Sequence, residues 1–230
     1  MSTEVEAQRQ ASLKSAQTKA LALFDEIRST LIKPGISESE LSKQIHALGQ
    51  ARHGIKTHWH KRVVRSGPNT LKPYAENPPD RIIEADDILF VDLGPVFEAW
   101  EADFGRTYVL GDDPAKTKLR DALEPMWHAV KAKFDAKPEM TGAQLYELAC
   151  KAAREAGYEY GGPLAGHLVG DFPHERIPND KKSLYVVPEN NEVMRSMGKN
   201  WSPRHWILEI HLVDKERQIG GFFEQLLTVD

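Results

Sequence analysis

The chain has 230 residues, of which 40% are hydrophobic and 28% are charged, a composition that suits a globular protein with a sizeable core. A net charge of −4 gives no basic excess of the kind that nucleic-acid-binding proteins carry, and no apolar run is long enough to cross a bilayer. A single cysteine, Cys150, excludes an internal disulfide, and the polar first ten residues lack the apolar segment of a signal peptide. We therefore expect a protein of the reducing cytoplasm, with no nucleic-acid or membrane partner.

Two helices are predicted for the first 55 residues. Apolar residues recur at three- and four-residue spacing from 5 to 32, and Pro34 with Gly35 ends this pattern. Ser37, with Glu40 three residues later, has the spacing of a capping box and predicts a second helix to about residue 54. We expect residues 1–55 to form a helical arm and residues 56–230 the catalytic domain, although no break in composition marks the boundary.

Strand pairs that alternate with helices are predicted for the rest of the chain. A short strand at 62–65 precedes strands at 88–93 and 101–110. A turn at 111–114 opens a helix to about residue 134, and Thr141 with Gln144 caps another helix that ends near residue 157. Strands at 206–213 and 221–229 close the chain, so the order of elements predicts an α+β fold.

Four of the predicted strands each carry one acidic residue among apolar neighbours: Asp92, Asp103, Glu209 and Glu224. Each could pair with a separate basic residue, but buried acids are uncommon in strands and four are hard to explain in this way. Four converging carboxylates without cations would repel one another and take up protons, whereas two divalent ions would balance their charge. This oxygen-rich set with one imidazole favours manganese, cobalt, iron or zinc over magnesium and calcium.

Histidines occur at two places that suggest chemistry. His167 follows Gly166, where the backbone can approach closely, and is the expected imidazole ligand, while His174 follows seven residues later. His58 and His60 would share one face if this segment were a strand, an arrangement that could bind a metal. A solvated basic edge is the alternative interpretation of that pair.

In order and spacing these residues resemble the pita-bread metallopeptidases, which include methionine aminopeptidases, Xaa-Pro aminopeptidases, prolidases and creatinases. The matching segments are Val-Asp-Leu-Gly at 91–94, Ala-Asp-Phe-Gly-Arg-Thr at 102–107, Gly-His-Leu-Val-Gly at 166–170, His-Glu at 174–175, Leu-Glu at 208–209 and Gly-Gly-Phe-Phe-Glu at 220–224. The resemblance covers roughly residues 60–230, the catalytic domain only. It implies a curved antiparallel sheet flanked by two helix pairs, with the metals in its centre.

The resemblance also implies roles for individual residues. Asp92 would bind one metal through both oxygens, Asp103 and Glu224 would bridge two metals, and His167 and Glu209 would complete the other site. His174 would lie beside the metals and donate to the substrate carbonyl, so Glu209 and His174 are the expected catalytic residues. A hydroxide shared by the metals would attack a peptide or amide bond of a small molecule or short peptide. A homodimer is left open.

Several positions depart from the family pattern. Tyr74 stands where a substrate-binding histidine is usual, Ile210 replaces a proline after the first catalytic glutamate, and Phe222 replaces the arginine of prolidases. Tyrosine donates a hydrogen bond but cannot act as a base at neutral pH, so His58 or His60 could replace the lost imidazole. The candidate substrate-binding residues are therefore Tyr74, His174, His58 and His60.

Those departures leave two other functions open. One is a metalloenzyme on the same scaffold with creatinase-like cleavage of a C–N bond in a small metabolite. The other is a binding module that has lost catalysis, which has no need for five matched ligands.

Overall fold

Two helix pairs pack on a seven-stranded antiparallel sheet in the computed structural model, which describes residues 2–172, 182–198 and 201–229. The helices are α1 (Thr3–Thr30), α2 (Glu38–Arg52), α3 (Pro114–Asp135) and α4 (Gly142–Glu155). The strands are β1 (Val63–Ser66), β2 (Ile88–Leu93), β3 (Val96–Phe97), β4 (Trp100–Glu101), β5 (Phe104–Val109), β6 (Glu159–Tyr160), β7 (Leu168–Val169), β8 (His205–Asp214) and β9 (Ile219–Leu226). The main sheet has the order β1-β2-β5-β9-β8-β6, with β7 also paired to β8, so the predicted α+β fold is confirmed.

The helices begin at side-chain caps that the sequence largely predicts. The Thr141 hydroxyl accepts from the Gln144 amide and the Gln144 side chain accepts from the Thr141 amide, which completes the expected capping box. Ser37 accepts from the Glu40 amide at 3.2 Å, but the Glu40 carboxylate accepts from Gln44 instead of returning to Ser37. Only half of that predicted capping box forms.

The strand predicted for residues 101–110 is divided, which corrects the prediction for Asp103. β4 pairs with β3 in a small hairpin, and β5 pairs with β2. Between them the Ala102 amide donates to the Pro95 carbonyl at 3.0 Å, and the Glu101 amide donates to the Gly170 carbonyl at 3.1 Å. Because these amides bond outside the main sheet, Asp103 lies between two strands and not within one.

The two helix pairs cover one face of the sheet. Leu89, Val91 and Leu93 of β2 belong to one core cluster with α1 and α2, and the alternate residues of β8 belong to another cluster with α3 and α4. The predicted helical arm thus shares a core with the sheet, and the division at residue 55 stays a prediction. No helix of the described residues is long and apolar enough to span a membrane.

Candidate metal centre

Strand register places three of the predicted acidic ligands in one row. Asp92 pairs with Gly105, Gly105 pairs with Glu224, and Glu224 pairs with Glu209, across four neighbouring strands. Directly paired residues project from the same face of a sheet, so these side chains lie on the face opposite the helices. Gly105 contributes no side chain to the row, and the ring of Phe222 lies over it.

Asp103 lies between two imidazoles. Its Oδ1 is 3.1 Å from His60 Nε2, and its Oδ2 is 2.9 Å from His167 Nε2. His60 Nε2 is also 3.5 Å from Asp92 Oδ1, and His167 Nε2 is 3.9 Å from Glu209 Oε1. The structure thus brings the five predicted metal ligands together and adds His60 to them.

The donor set fits divalent cations. Two groups of ligand atoms, each within 4.8 Å of one another, share Asp103: His60 with Asp92 and Asp103, and Asp103 with His167 and Glu224. Glu224 Oε2 is buried and has no hydrogen-bond partner among the described residues. An orphaned carboxylate oxygen beside other carboxylates is costly to bury, and a cation would supply its missing partner. Oxygen donors mixed with imidazole suit manganese, iron, cobalt or zinc.

Without a cation, the site holds protons. Burial raises the pKa of Asp92 to about 7 and the pKa of Glu209 to about 8, and it raises the pKa of Glu224 well above its usual range. Burial acts on Asp103 in the same direction, but the two neighbouring imidazoles outweigh it and hold the pKa of Asp103 below its usual value.

The pKa values of the two imidazoles, His60 and His167, are raised. Burial lowers their pKa, but the Asp103 carboxylate outweighs it and raises the pKa of His60 and of His167 to about 9. Near pH 6, the metal-free site therefore carries protons on the carboxyls of Asp92, Glu209 and Glu224 and on the two imidazoles.

A cavity of about 430 Å³ opens above the carboxylates. Tyr74 lines its mouth and is 49% exposed, and its ring centroid lies 5.7 Å from that of His60, which lines the cavity deeper inside. His174 lies outside the described residues, so its predicted catalytic role stays a prediction.

His58 does not line this cavity, although His60 does. Residues 58–60 lie outside the strands, so alternation along a strand does not place the two side chains on one face. Both ring nitrogens of His58 are buried without a hydrogen-bond partner among the described residues, and burial lowers its pKa to about 4. The solvated basic edge is also not what forms, because the His60 side chain is only 7% exposed.

Three aromatic rings, not singled out as a group by the sequence analysis, form one wall of the cavity. The centroids of Phe90, His211 and Phe222 lie 5.4–5.9 Å apart. His211 donates from Nε2 to the Thr70 carbonyl at 2.8 Å, and burial lowers its pKa to about 4, so its ring is neutral. The sequence could have indicated the position of His211, because it is two residues from Glu209 in β8 and alternation places both side chains on the same face.

This fold and this cluster of acids and imidazoles define a pita-bread metallopeptidase. The chain belongs to the metallopeptidase family M24, whose family model matches residues 11–209. The predicted membership of the pita-bread metallopeptidases is thereby confirmed, and metallohydrolase is the class of this family.

Known proteins extend the comparison. The chain is 29% identical over 146 residues to an Xaa-Pro dipeptidase from Lactobacillus delbrueckii subsp. lactis, with 63% of this chain and 39% of that protein covered. It is 30% identical over 147 residues to an Xaa-Pro dipeptidase from Pyrococcus horikoshii, with 63% and 40% covered. The chain thus spans about two fifths of the length of these curated relatives.

Solved structures support the fold. A recombinant prolidase from Thermococcus sibiricus has a TM-score of 0.78 at 19% identity, covering 100% of this chain and 57% of that one. The dipeptidase PepE from Mycobacterium ulcerans has a TM-score of 0.71 at 26% identity, covering 97% and 58%.

Proposed function

We propose that this chain is a dinuclear metal-dependent hydrolase that cleaves a peptide or amide bond of a small substrate or short peptide. The observation that carries this proposal is the position of Asp103, whose two oxygens face two separate groups of ligand atoms at the floor of a cavity. A carboxylate shared in this way suits a bridging ligand between two ions. The family and the Xaa-Pro dipeptidase relatives support the same reaction class.

We assign a part to each protein group in the centre. Asp92 and Asp103 would hold one ion, His167 and Glu209 would hold the other, and Glu224 would join Asp103 as a bridge. When bound, two divalent ions would lower the pKa of a water molecule and polarise the carbonyl of the substrate. A carboxylate can bind an ion through one oxygen and hold a proton on the other, so Glu209 is the proposed catalytic base.

The cavity determines which substrate can reach the centre. Tyr74 at the mouth can donate a hydrogen bond, and the aromatic wall offers an apolar surface. The lysines among the described lining residues, Lys72 and Lys182, lie 3.1 Å and 3.2 Å from the carboxylates of Glu76 and Glu189. A substrate carboxylate would compete with these partners, so we expect weak activity on free Xaa-Pro dipeptides and better activity on less charged substrates.

The aromatic wall also supports a second candidate, creatinase-like cleavage of a C–N bond in a small metabolite. Phe222 stands where prolidases carry an arginine, and neutral His211 beside it offers Nδ1 as an acceptor because Nε2 donates to Thr70. A substrate group with N–H donors would match this wall better than a carboxylate.

Metal analysis and a substrate panel test the proposal. Protein loaded with Mn²⁺ or Co²⁺ and then desalted should retain close to two ions per chain, and it should hydrolyse members of a panel of Xaa-Pro peptides, Met-Xaa peptides, peptide amides and small N-substituted metabolites. Retention of no ion by folded protein at neutral pH would overturn the metal centre. Cleavage of only the metabolites would favour the second candidate, and efficient cleavage of an Xaa-Pro dipeptide would overturn the expected selectivity.

A further inference from the structure

We propose that His60 is a sixth protein ligand of the metal centre and that its Nε2 binds the ion held by Asp92 and Asp103. This inference rests on the proposed function. It goes beyond the five ligands predicted from the sequence, which made His60 a candidate substrate-binding residue and one of a histidine pair that could bind a metal or form a solvated edge. It gives each of the two ions one imidazole.

The position of the His60 side chain supports this role. Its Nε2 lies 3.1 Å from Asp103 Oδ1 and 3.5 Å from Asp92 Oδ1, and these three residues form one of the two groups of ligand atoms. The same nitrogen is thus aimed at both carboxylates of one ion. His167 has the corresponding position on the other side of Asp103, 2.9 Å from Oδ2.

The second nitrogen of each ring is held in the same manner. His60 Nδ1 lies 2.7 Å from the Lys61 carbonyl, and His167 Nδ1 lies 2.7 Å from the Leu168 carbonyl. A carbonyl only accepts, so Nδ1 must carry the proton and donate it. This bond directs the lone pair of Nε2 to the carboxylates, which is how proteins orient histidines that bind metals.

Neighbouring residues fix the His60 ring in this orientation. The Trp59 ring makes edge contacts with His60 at 4.5 Å and with His167 at 5.0 Å, and its Nε1 donates to the Ala102 carbonyl at 3.1 Å. Gly94 leaves the space for the imidazole, since a Cβ atom there would overlap His60 Cδ2. His60 is therefore packed in place before any ligand binds.

A bound divalent ion would compete with the proton on His60. Both positive charges would lie beside the same oxygens of Asp92 and Asp103, so binding of the ion favours loss of the Nε2 proton. The freed lone pair then faces the ion. Imidazole on both ions favours cobalt, zinc or iron over magnesium and calcium at both positions.

Proton NMR of the cobalt-loaded protein tests this inference without an activity assay. A ligating imidazole that keeps Nδ1–H gives one strongly shifted signal that disappears in D₂O, so the wild type should show two such signals. His60→Asn should remove one of them and weaken binding of one Co²⁺ by at least ~10-fold. Asparagine retains an amide donor near the position of Nδ1 but has no atom at the position of Nε2.

His58→Asn is the matched control, because it removes a buried imidazole two residues away that does not line the cavity. It should keep both signals. If His60→Asn does not fold, His60→Gln replaces it and should also lose one signal.

The possible outcomes separate the two proposals. A wild type that binds no cobalt would overturn the proposed function. Two outcomes would overturn the role of His60 and leave the dinuclear centre intact. One is a wild type that binds two ions but shows one shifted signal. The other is a folded His60 variant that still shows two shifted signals.

Discussion

Replacing Asp103 by asparagine should destabilise the metal-free protein at pH 6. Asp103 is buried and accepts hydrogen bonds from His60 and His167 at 3.1 Å and 2.9 Å. An amide cannot balance the charge of the two imidazoles, and its nitrogen would present a donor to one of them. The variant must therefore either bury uncompensated positive charge or release protons from the histidines.

The magnitude follows from the burial of this group. Removing one partner of a buried ion pair costs about 3–5 kcal/mol, which agrees with two lost charge-assisted hydrogen bonds at ~1.5–3 kcal/mol each. For a domain of this size, ~1 kcal/mol shifts Tm by about 2–4 °C, so the melting temperature should fall by roughly 6–20 °C.

The loss should depend on pH in a defined direction. His60 and His167 have pKa values raised to about 9, so their stabilising effect is complete below the unfolded-state pKa of about 6.5 and is lost as pH rises through 9. The pKa of Asp103 is lowered, so its effect is present above its unfolded-state pKa and is lost in acid. The difference between wild type and variant should be largest near pH 6 and small at pH 10, where removing one acid also relieves repulsion.

Urea denaturation with a chelator present measures this difference at pH 6 and pH 10. Glu224→Gln is the control, because the raised pKa of Glu224 keeps it protonated and an amide resembles that form. We expect the control to change the free energy of unfolding by less than ~1 kcal/mol at pH 6. A loss of less than ~1 kcal/mol for Asp103→Asn at pH 6, or an equal loss at both pH values, would refute the reasoning.

Three further predictions follow from the site. Gly105→Ala should lower the free energy of unfolding by ~1–3 kcal/mol in denaturation experiments, because a Cβ atom would lie 2.5 Å from Phe222 Cδ1. Metal binding should release protons, and more at pH 7 than at pH 10, as calorimetry in buffers of different ionisation enthalpy would measure. His174→Ala should slow turnover by ~10²–10⁴ while elemental analysis finds unchanged metal content; equal loss of metal would contradict its assigned role.

The sequence predicts the helices and the acidic row well, because both follow from local periodicity. Thr141 and Gln144 specify a helix start by themselves, and an acid within an apolar strand is conspicuous without any knowledge of its partners. The position of Asp103 depends instead on hydrogen bonds to residues that are distant in the sequence. The Gly170 carbonyl, which accepts from the Glu101 amide, is one such partner.

The histidines show where sequence reasoning fails for the same reason. Alternation would place His58 and His60 on one face, but the Trp59 amide donates to the Gly94 carbonyl at 2.9 Å and His58 bridges to Pro95, so this segment follows an irregular course. His211 obeys the alternation of β8, but its neighbours become known only from the strand order. Periodicity in the sequence predicts which face of a strand a side chain occupies. The residues that the side chain meets on that face depend on tertiary contacts.

The proposed metal ligands and the aromatic wall lie on the same strands. Each of β2, β8 and β9 carries one acid of the row and, two positions away, one aromatic ring that lines the cavity: Asp92 with Phe90, Glu209 with His211, and Glu224 with Phe222. Two residues of a strand span about 6.6–7 Å, so an aromatic layer runs beside the acidic row at that distance. A substrate whose scissile bond lies over the acids must place its neighbouring group against these rings. The size and polarity of that group would therefore decide which substrates are cleaved, and substitutions in the aromatic layer should change selectivity while the metal ligands remain in place.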